Sequence, residues 1–451
     1  MNLKSRLSQL QTQAGTGIGS AVPKPSMSDL RARIAQLEKR RHPPVGAPAF
    51  GAMGLGNDGG QGNRGQGPFM PGTGAPTGVL IKAVEGEKIA EGVIRIRKRF
   101  ALGGELGSVA LKGLRNTPCL PGETKNAHRN VYIDTETTGL SGGSGTLAFL
   151  VGIAVVEADA IELTQFLITG FSAEAASLSA FADCLAPDDQ LVSYNGKSYD
   201  LPLLITRFRM QALQHPFDGL PHLDLLLLIT CFRMQAMQHS FDGLPYLDLL
   251  HPVRRLFGKR WNDCRLITVE ENLLGFHRID DLPGSEAPEA WFSYIRTGHD
   301  AKLIKVVEHN QQDIVSLAVA HSVLTQAIEQ PRAFDANLYA LARWLSEHNE
   351  DDARELLQSH TDSLCDDGKR LLGQLLRRAG DWPQAIRVWE ALADQGCTDS
   401  LERLAKYHEH ISRDLAAAQH YGALLPGDAA HEHRRRRVDN KIAAGQNAAL
   451  S

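Results

Sequence analysis

The sequence predicts an α/β domain followed by an all-α helical-repeat region, with a Gly/Pro-rich tail in front. Three observations carry that division. Up to about residue 85, large apolar side chains are sparse and Gly, Pro and Ala abundant; strand-like and helix-like apolar patterns then interleave to residue 330; from Asn337 to Leu425 short amphipathic helices follow one another. The predicted units are a disordered tail at 1–85, the α/β domain at 86–330, the helical region at 335–430 and a basic tail at 431–451.

Within the first tail, GAPAFGAMGLGNDGGQGNRGQGPFMPGTGAPTG reads as linker. SDLRARIAQLEKRR places Leu30, Ile34 and Leu37 on one side of a short helix at Met27 to Arg41. The segment VIRIRKRF, from Val93, alternates nearly enough to predict an edge strand with a basic face, either solvated or turned toward phosphates.

The stretch VYIDTETTGL, residues 131–140, is the first with chemistry. Val131, Tyr132 and Ile133 end a buried strand, and period-two alternation points Asp134 and Glu136 to one face. Two carboxylates this close repel unless a proton or cation lies between them, which suggests magnesium or manganese. Alone, the pair is equally compatible with a turn capped by acidic side chains.

Leu147 to Val156 and Ile161 to Thr169 follow as strands. Gly142, Gly143 and Gly145 precede a strand and not a helix, so they do not form a phosphate-cradling loop. A helix at Ala173 to Leu185 has Leu178, Phe181 and Leu185 as its apolar row. Leu191 to Tyr194 is another strand, Asn195-Gly196 its turn, and Asp200 heads the next helix.

Residues 203–226, LLITRFRMQALQHPFDGLPHLDLL, recur at once as 227–250, differing at Arg207/Cys231, Leu213/Met237, Pro216/Ser240 and His222/Tyr246. A unit present twice is a tandem duplication, not a solenoid. The fold can use either copy, or the first helix with the second GLP-x-LDLL, and the surplus 24 residues are expected as an extra helix on the domain.

HPVRRLFGKRW is basic with an interleaved aromatic, a backbone-contacting patch or an exposed helix. Glu270 and Glu271 read as capping or solvated. Further on, Leu303, Ile304, Val307, Ile314, Leu317 and Ala318 recur at helical spacing and put His309 and Asp313 one turn apart on a shared face. In the last region, Gly380-Asp381 joins two helices, with Ala385, Ile386 and Trp389 on the following face, in the manner of a tetratricopeptide hairpin. Four consecutive arginines in HEHRRRRVDNK read as a solvated tail or a nucleic-acid tether.

DTET, the Asn195 to Asp200 spacing and His309-x-x-x-Asp313 resemble the three motifs of the DEDD 3′→5′ exonucleases of the ribonuclease-H-like fold. DTETTGLSGGSGTLAFLVG, SYNGKSYDLPLL, GLPHLDLL, HPVRRLFG, LLGFHRIDDLPG and EHNQQDIVSLA together resemble the bacterial YprB-like proteins, over residues 86–330. The resemblance implies a mixed sheet flanked by helices and hydrolysis of single-stranded DNA or RNA from a 3′ end, with two Mg2+ or Mn2+ ions. It implies Asp134, Glu136, Asp200 and Asp313 as metal ligands and His309 as general base. The interval from His309 to Asp313 is four, as in the tyrosine subclass, where the histidine subclass has five. The same carboxylates would serve a ribonuclease-H-type endonuclease, and a non-catalytic scaffold binding nucleic acid or protein is the alternative from another class.

Composition fits this without deciding it. With 451 residues, 43% of them hydrophobic, the chain can hold two or three domains with cores. A net charge of -4 excludes a uniformly basic coat, so phosphate contacts need local basic surface. Six cysteines without a CxxC pair read as reduced thiols. No signal-peptide pattern or bilayer-length apolar run is present, so a cytoplasmic location without membrane contact is expected, with the helical region open to a protein partner.

Overall fold

The computed structural model describes residues 77–121, 123, 129–139, 145–217 and 246–449. The predicted helix at Met27 to Arg41, the linker, Gly142, Gly143 and the surplus residues of the duplication lie outside the described residues. A helix, α1 (Thr77–Ala83), is already in place before residue 86.

The core of the α/β part is a mixed seven-stranded sheet in the order β1-β2-β7-β6-β5-β8-β9. Its strands are β1 (Gly86–Ala90), β2 (Val93–Ala101), β5 (Asn130–Thr137), β6 (Ala148–Val156), β7 (Ala160–Ile168), β8 (Gln190–Ser193) and β9 (Tyr246–Asp248). A short hairpin, β3 (Glu105–Leu106) with β4 (Val109–Ala110), stands apart. Antiparallel pairing runs from β1 through β5, and β5-β8-β9 is parallel. β6 is apolar almost throughout and is buried along most of its length, as an interior strand must be.

The basic segment VIRIRKRF is not an edge strand. Gly86–Ala90 folds back on it through Glu91 and Gly92, so β2 is paired on both sides. Its cations are also spoken for: Arg95 pairs with Glu87, Lys98 with Glu85, and Arg99 with Asp159 and Glu162.

Helices cover the sheet: α2 (Glu174–Ala182), α3 (Asp200–Met210), α4 (Leu250–Phe257), α5 (Leu266–Val269), α6 (Ala287–Thr297) and the long α7 (Ala301–Glu329). α7 lies on β5 and β6. Leu303, Val306, Val307, Ile314, Leu317 and Ala318 are its buried row, which fixes its rotation and hence where His309 and Asp313 fall.

The duplication is resolved by its differences. The first copy supplies α3, where Arg207 donates to the buried Glu174 over 2.6 Å; the second has Cys231 at that position. The second copy supplies β9, where the Tyr246 hydroxyl bonds Ser193; the first has His222 there. First helix and second strand are therefore combined. The expected extra helix falls outside the described residues.

Seven helices complete the chain: α8 (Leu338–Ser346), α9 (Glu350–Ser359), α10 (Asp366–Arg378), α11 (Trp382–Ala393), α12 (Thr398–His410), α13 (Leu415–Ala423) and α14 (Ala429–Ala449). They pack as successive hairpins on Leu357, Leu372, Leu376, Trp389 and Leu404. Gly380 takes φ +78° between α10 and α11, a left-handed turn suited to glycine, and Asp381 caps α11 by accepting from the Gln384 amide at 3.1 Å.

HPVRRLFGKRW is committed to this junction. Phe257 stacks on Trp261 at 4.5 Å, Arg255 pairs with Glu347 at 2.8 Å and lies over Trp344, and Arg260 pairs with Asp335. The arginine-rich end is a helix, not a free tail. Arg437 and Lys441 grip the buried Glu409 from 2.6 and 2.8 Å, and Arg434 reaches Glu402 at 3.0 Å. Among the described residues no helix is long and apolar enough to cross a membrane.

Candidate functional site

The five residues singled out by sequence meet where β5, the start of α3 and the middle of α7 converge. Asp134 and Glu136 sit at the end of β5, where the pairing with β6 slips between Glu136 and Thr137. Such an irregularity re-aims the strand beside a site. Asp200 opens α3 and accepts from Thr135, the residue between the first two carboxylates. His309 turns Nε2 toward Asp313 Oδ2 at 3.4 Å and Glu136 Oε1 at 4.0 Å.

The carboxylates are held by neighbours that sequence reading did not single out. Asn310, fully buried, donates to Asp134 Oδ2 at 2.7 Å, and its own carbonyl accepts from Gln165 at 2.7 Å. Gly152 makes room for that amide, since a Cβ there would come within 2.3 Å of Asn310 Oδ1. Asp248, from the second copy, accepts from the Asn195 and Lys197 amides at 2.8 and 3.2 Å and so holds the turn that delivers Asp200.

A second group lies on LLGFHRIDDLPG. Asp281 Oδ1 is 2.7 Å from His309 Nδ1, and Arg278 bonds Glu270, Asp281 and Asp313. Glu270 is neither capping nor solvated: its side chain has no exposure, and Arg278 and Ser316 share it. The helical turn widens at Glu270–Leu274 into a π turn, and Gly275 at φ +61° sends the chain back so that Arg278 returns to Glu270. Asn310 was within reach of pattern reading, since it is three residues before Asp313 on one helix; Arg278 and Asp281 were not. A cavity of about 170 Å³ opens beside this group, with Arg278, Lys305 and His309 in its wall.

Burial, then repulsion from Asp313 and Asp200, pushes the carboxyls of Asp134 and Glu136 well above the usual range. Burial likewise raises Asp200 to about 6, against the Thr135 bond. Asp281 is a more exposed residue; partial desolvation raises its carboxyl, but its bond to His309 and the nearby Arg278 charge hold it below its ordinary value. Among the described residues no three His, Cys, Asp or Glu side chains form a ready-made metal-holding group. Asp134, Asp200 and Asp313 each have an internal partner instead. The donor set itself, oxygen ligands under mutual repulsion, is of the kind that suits hard divalent cations.

Residues 131–324 match the RNase_H superfamily domain RNase_H_2. Over 332 residues the chain is 31% identical to the protein named "Uncharacterized protein YprB" of Bacillus subtilis (strain 168), covering 70% of this chain and 73% of that one. The chain belongs to the YprB family of the RNase H superfamily. The family match takes in β5 through most of α7, and with them all five residues above. A family B DNA polymerase from the hyperthermophilic archaeon Pyrobaculum calidifontis is similar to 55% of this chain at 14% identity and a TM-score of 0.33; the chain spans 29% of that polymerase.

Proposed function

We propose that this YprB-family protein is a metal-dependent 3′→5′ exonuclease that hydrolyses the phosphodiester bonds of single-stranded nucleic acid. The observation that carries the reading is the convergence of Asp134, Glu136, Asp200 and Asp313, with His309 Nε2 facing Asp313 and Glu136 and the first three carboxyls held toward the neutral form by burial and neighbouring carboxylates. Membership of the RNase H superfamily supports nuclease chemistry and divalent metal use.

In this reading Asp134, Glu136, Asp200 and Asp313 hold two Mg2+ or Mn2+ ions. When bound, the ions supply electrostatic stabilisation to the phosphate oxygens. The chain's own groups handle the proton. In the tautomer this reading uses, His309 keeps its proton on Nδ1 and donates it to Asp281 Oδ1 across 2.7 Å. Arg278 Nη1, 3.2 Å from the same nitrogen, donates to Asp281 Oδ2, and Nε2 is left as the acceptor facing the acidic side. Nε2 then accepts the proton of the attacking water. Asn310 and Gln165 fix Asp134, and the Asp248-held turn fixes Asp200, so little reorganisation is needed.

A linear 3′-labelled strand and a covalently closed circle of the same sequence test the polarity. Release of labelled mononucleotides from the strand with the circle intact is the expected result. Cutting of the circle would favour an endonuclease working with the same carboxylates.

A further inference from the structure

We infer that Arg278, braced from behind by Glu270, is the positioning residue that sets Asp313 and the Asp281–His309 pair in one common geometry. The inference rests on the proposed metal-dependent reading and concerns a residue that neither holds the ions nor takes the proton in it.

Four observations converge on it. Arg278 has only 7% side-chain exposure and lies among ionisable groups at the wall of the cavity. Its Nε and Nη2 meet the two oxygens of Glu270 at 2.6 and 2.8 Å, a two-point grip that removes the freedom of the guanidinium to swing. Ser316, on the same helix as Asp313, donates to Glu270, so the brace is tied to α7. The π turn and the left-handed Gly275 return the chain to close this contact.

The outward side of the same plane reaches the two groups the chemistry needs. Nη2 bonds Asp313 Oδ1, which leaves Oδ2 as the oxygen facing His309 Nε2 at 3.4 Å. Nη1 bonds Asp281 Oδ2 at 3.1 Å, and the other oxygen of Asp281 meets His309 Nδ1 at 2.7 Å. One rigid fork thus orients one carboxylate directly, and the imidazole both through Asp281 and by the 3.2 Å approach of Nη1 to His309 Nδ1. A lysine, a single point charge on a flexible stem, cannot hold both.

The competing role is a counter-charge that merely quiets the acidic cluster and must be displaced by a cation. The two roles differ in sign. Outer-shell groups that orient ligands strengthen metal binding by about 10- to 100-fold, whereas a competing cation weakens it. Because Arg278 and Glu270 cancel in charge, Glu270→Gln with Arg278→Gln dissolves the fork and leaves the net charge unchanged.

The experiment is calorimetric titration of the full chain with Mn2+ alone, with thermal melting to confirm folding. Wild type is expected to bind and Asp134→Asn to bind far more weakly. The Glu270→Gln/Arg278→Gln pair is expected to bind about 10- to 100-fold more weakly than wild type, and Arg278→Lys to fall short of it as well. Unchanged or tighter Mn2+ binding in these variants overturns the inference in favour of the counter-charge. If the double variant does not fold, the lysine variant decides by the same criterion. Failure of wild type itself to bind Mn2+ sinks the metal reading of the acidic set, a different result from failure of the fork.

Discussion

Asn310 donates to Asp134 across 2.7 Å, from the middle of the long helix to the end of the central strand, and Gly152 on the neighbouring strand is what lets it come so close. Asp134 and Gly152 are register partners on β5 and β6. A methyl group at Gly152 would overlap both Asn310 and Ile314. Gly152→Ala is therefore expected to destabilise the protein by about 1–3 kcal/mol, as overpacking does, and to weaken Mn2+ binding by displacing the amide from Asp134. Denaturant melts and metal titration check the two effects, and a variant that loses neither would place the amide elsewhere.

The duplication gives a ranking of deletions. Removing residues 219–242 keeps Arg207 on Glu174 and Tyr246 on Ser193, and should leave stability close to that of the full chain. Removing 227–250 puts His222 in the place of Tyr246 and should cost about 1 kcal/mol for the lost hydroxyl bond. Removing 203–226 puts Cys231 in the place of Arg207 and leaves the buried Glu174 without its charge partner, with only Gln235 standing where Gln211 bonds it. It should cost the most of the three, about 3 kcal/mol. Three melting temperatures in any other order would contradict this assignment of the copies.

The acidic cluster makes metal-free stability depend on pH in a definite direction. Asp200 is raised from 3.8 to about 6 in the folded state. As pH climbs through that interval the unfolded chain sheds its proton first, so the folded state loses stability with rising pH. Asp200→Asn removes this loss and keeps an acceptor for Thr135. Its melting temperature in a chelator should exceed that of wild type above pH 6, with the advantage vanishing below about pH 4. An advantage independent of pH would show that Asp200 is not held toward its neutral form.

Glu409 anchors the last helix, and Arg437 and Lys441 keep its carboxyl at about 2. Glu409→Gln should loosen α14 and speed tryptic cleavage at Arg434 to Arg437. Equal cleavage rates in mutant and wild type would show that apolar contacts, such as buried Val438, hold the helix alone.

Much of this was legible in the sequence, and the parts that were not share a cause. Strand alternation put Asp134 and Glu136 together, and helical spacing put His309 over Asp313, because both rules act between near neighbours. The mixed sheet followed from agreement of separated motifs. The basic strand was misplaced at an edge because its outer partner, Gly86–Ala90, is too polar to announce itself. Arg278 lies in LLGFHRIDDLPG but was given no role there, since its value depends on a π turn that returns it to Glu270 and on Asp313 far along the chain. The arginine-rich end read as solvated because its acceptor, Glu409, belongs to another helix. Contacts made between elements leave no local period to read.

The most direct test of the account is degradation of 3′-labelled single-stranded DNA and RNA with Mg2+ or Mn2+, comparing wild type with Asp134→Asn at equal protein concentration. The account predicts metal-dependent release of mononucleotides by wild type and loss of at least a hundredfold in the variant, about 3 kcal/mol of barrier. Cleavage that survives Asp134→Asn, or no cleavage of either strand by folded, Mn2+-loaded wild type, would contradict it.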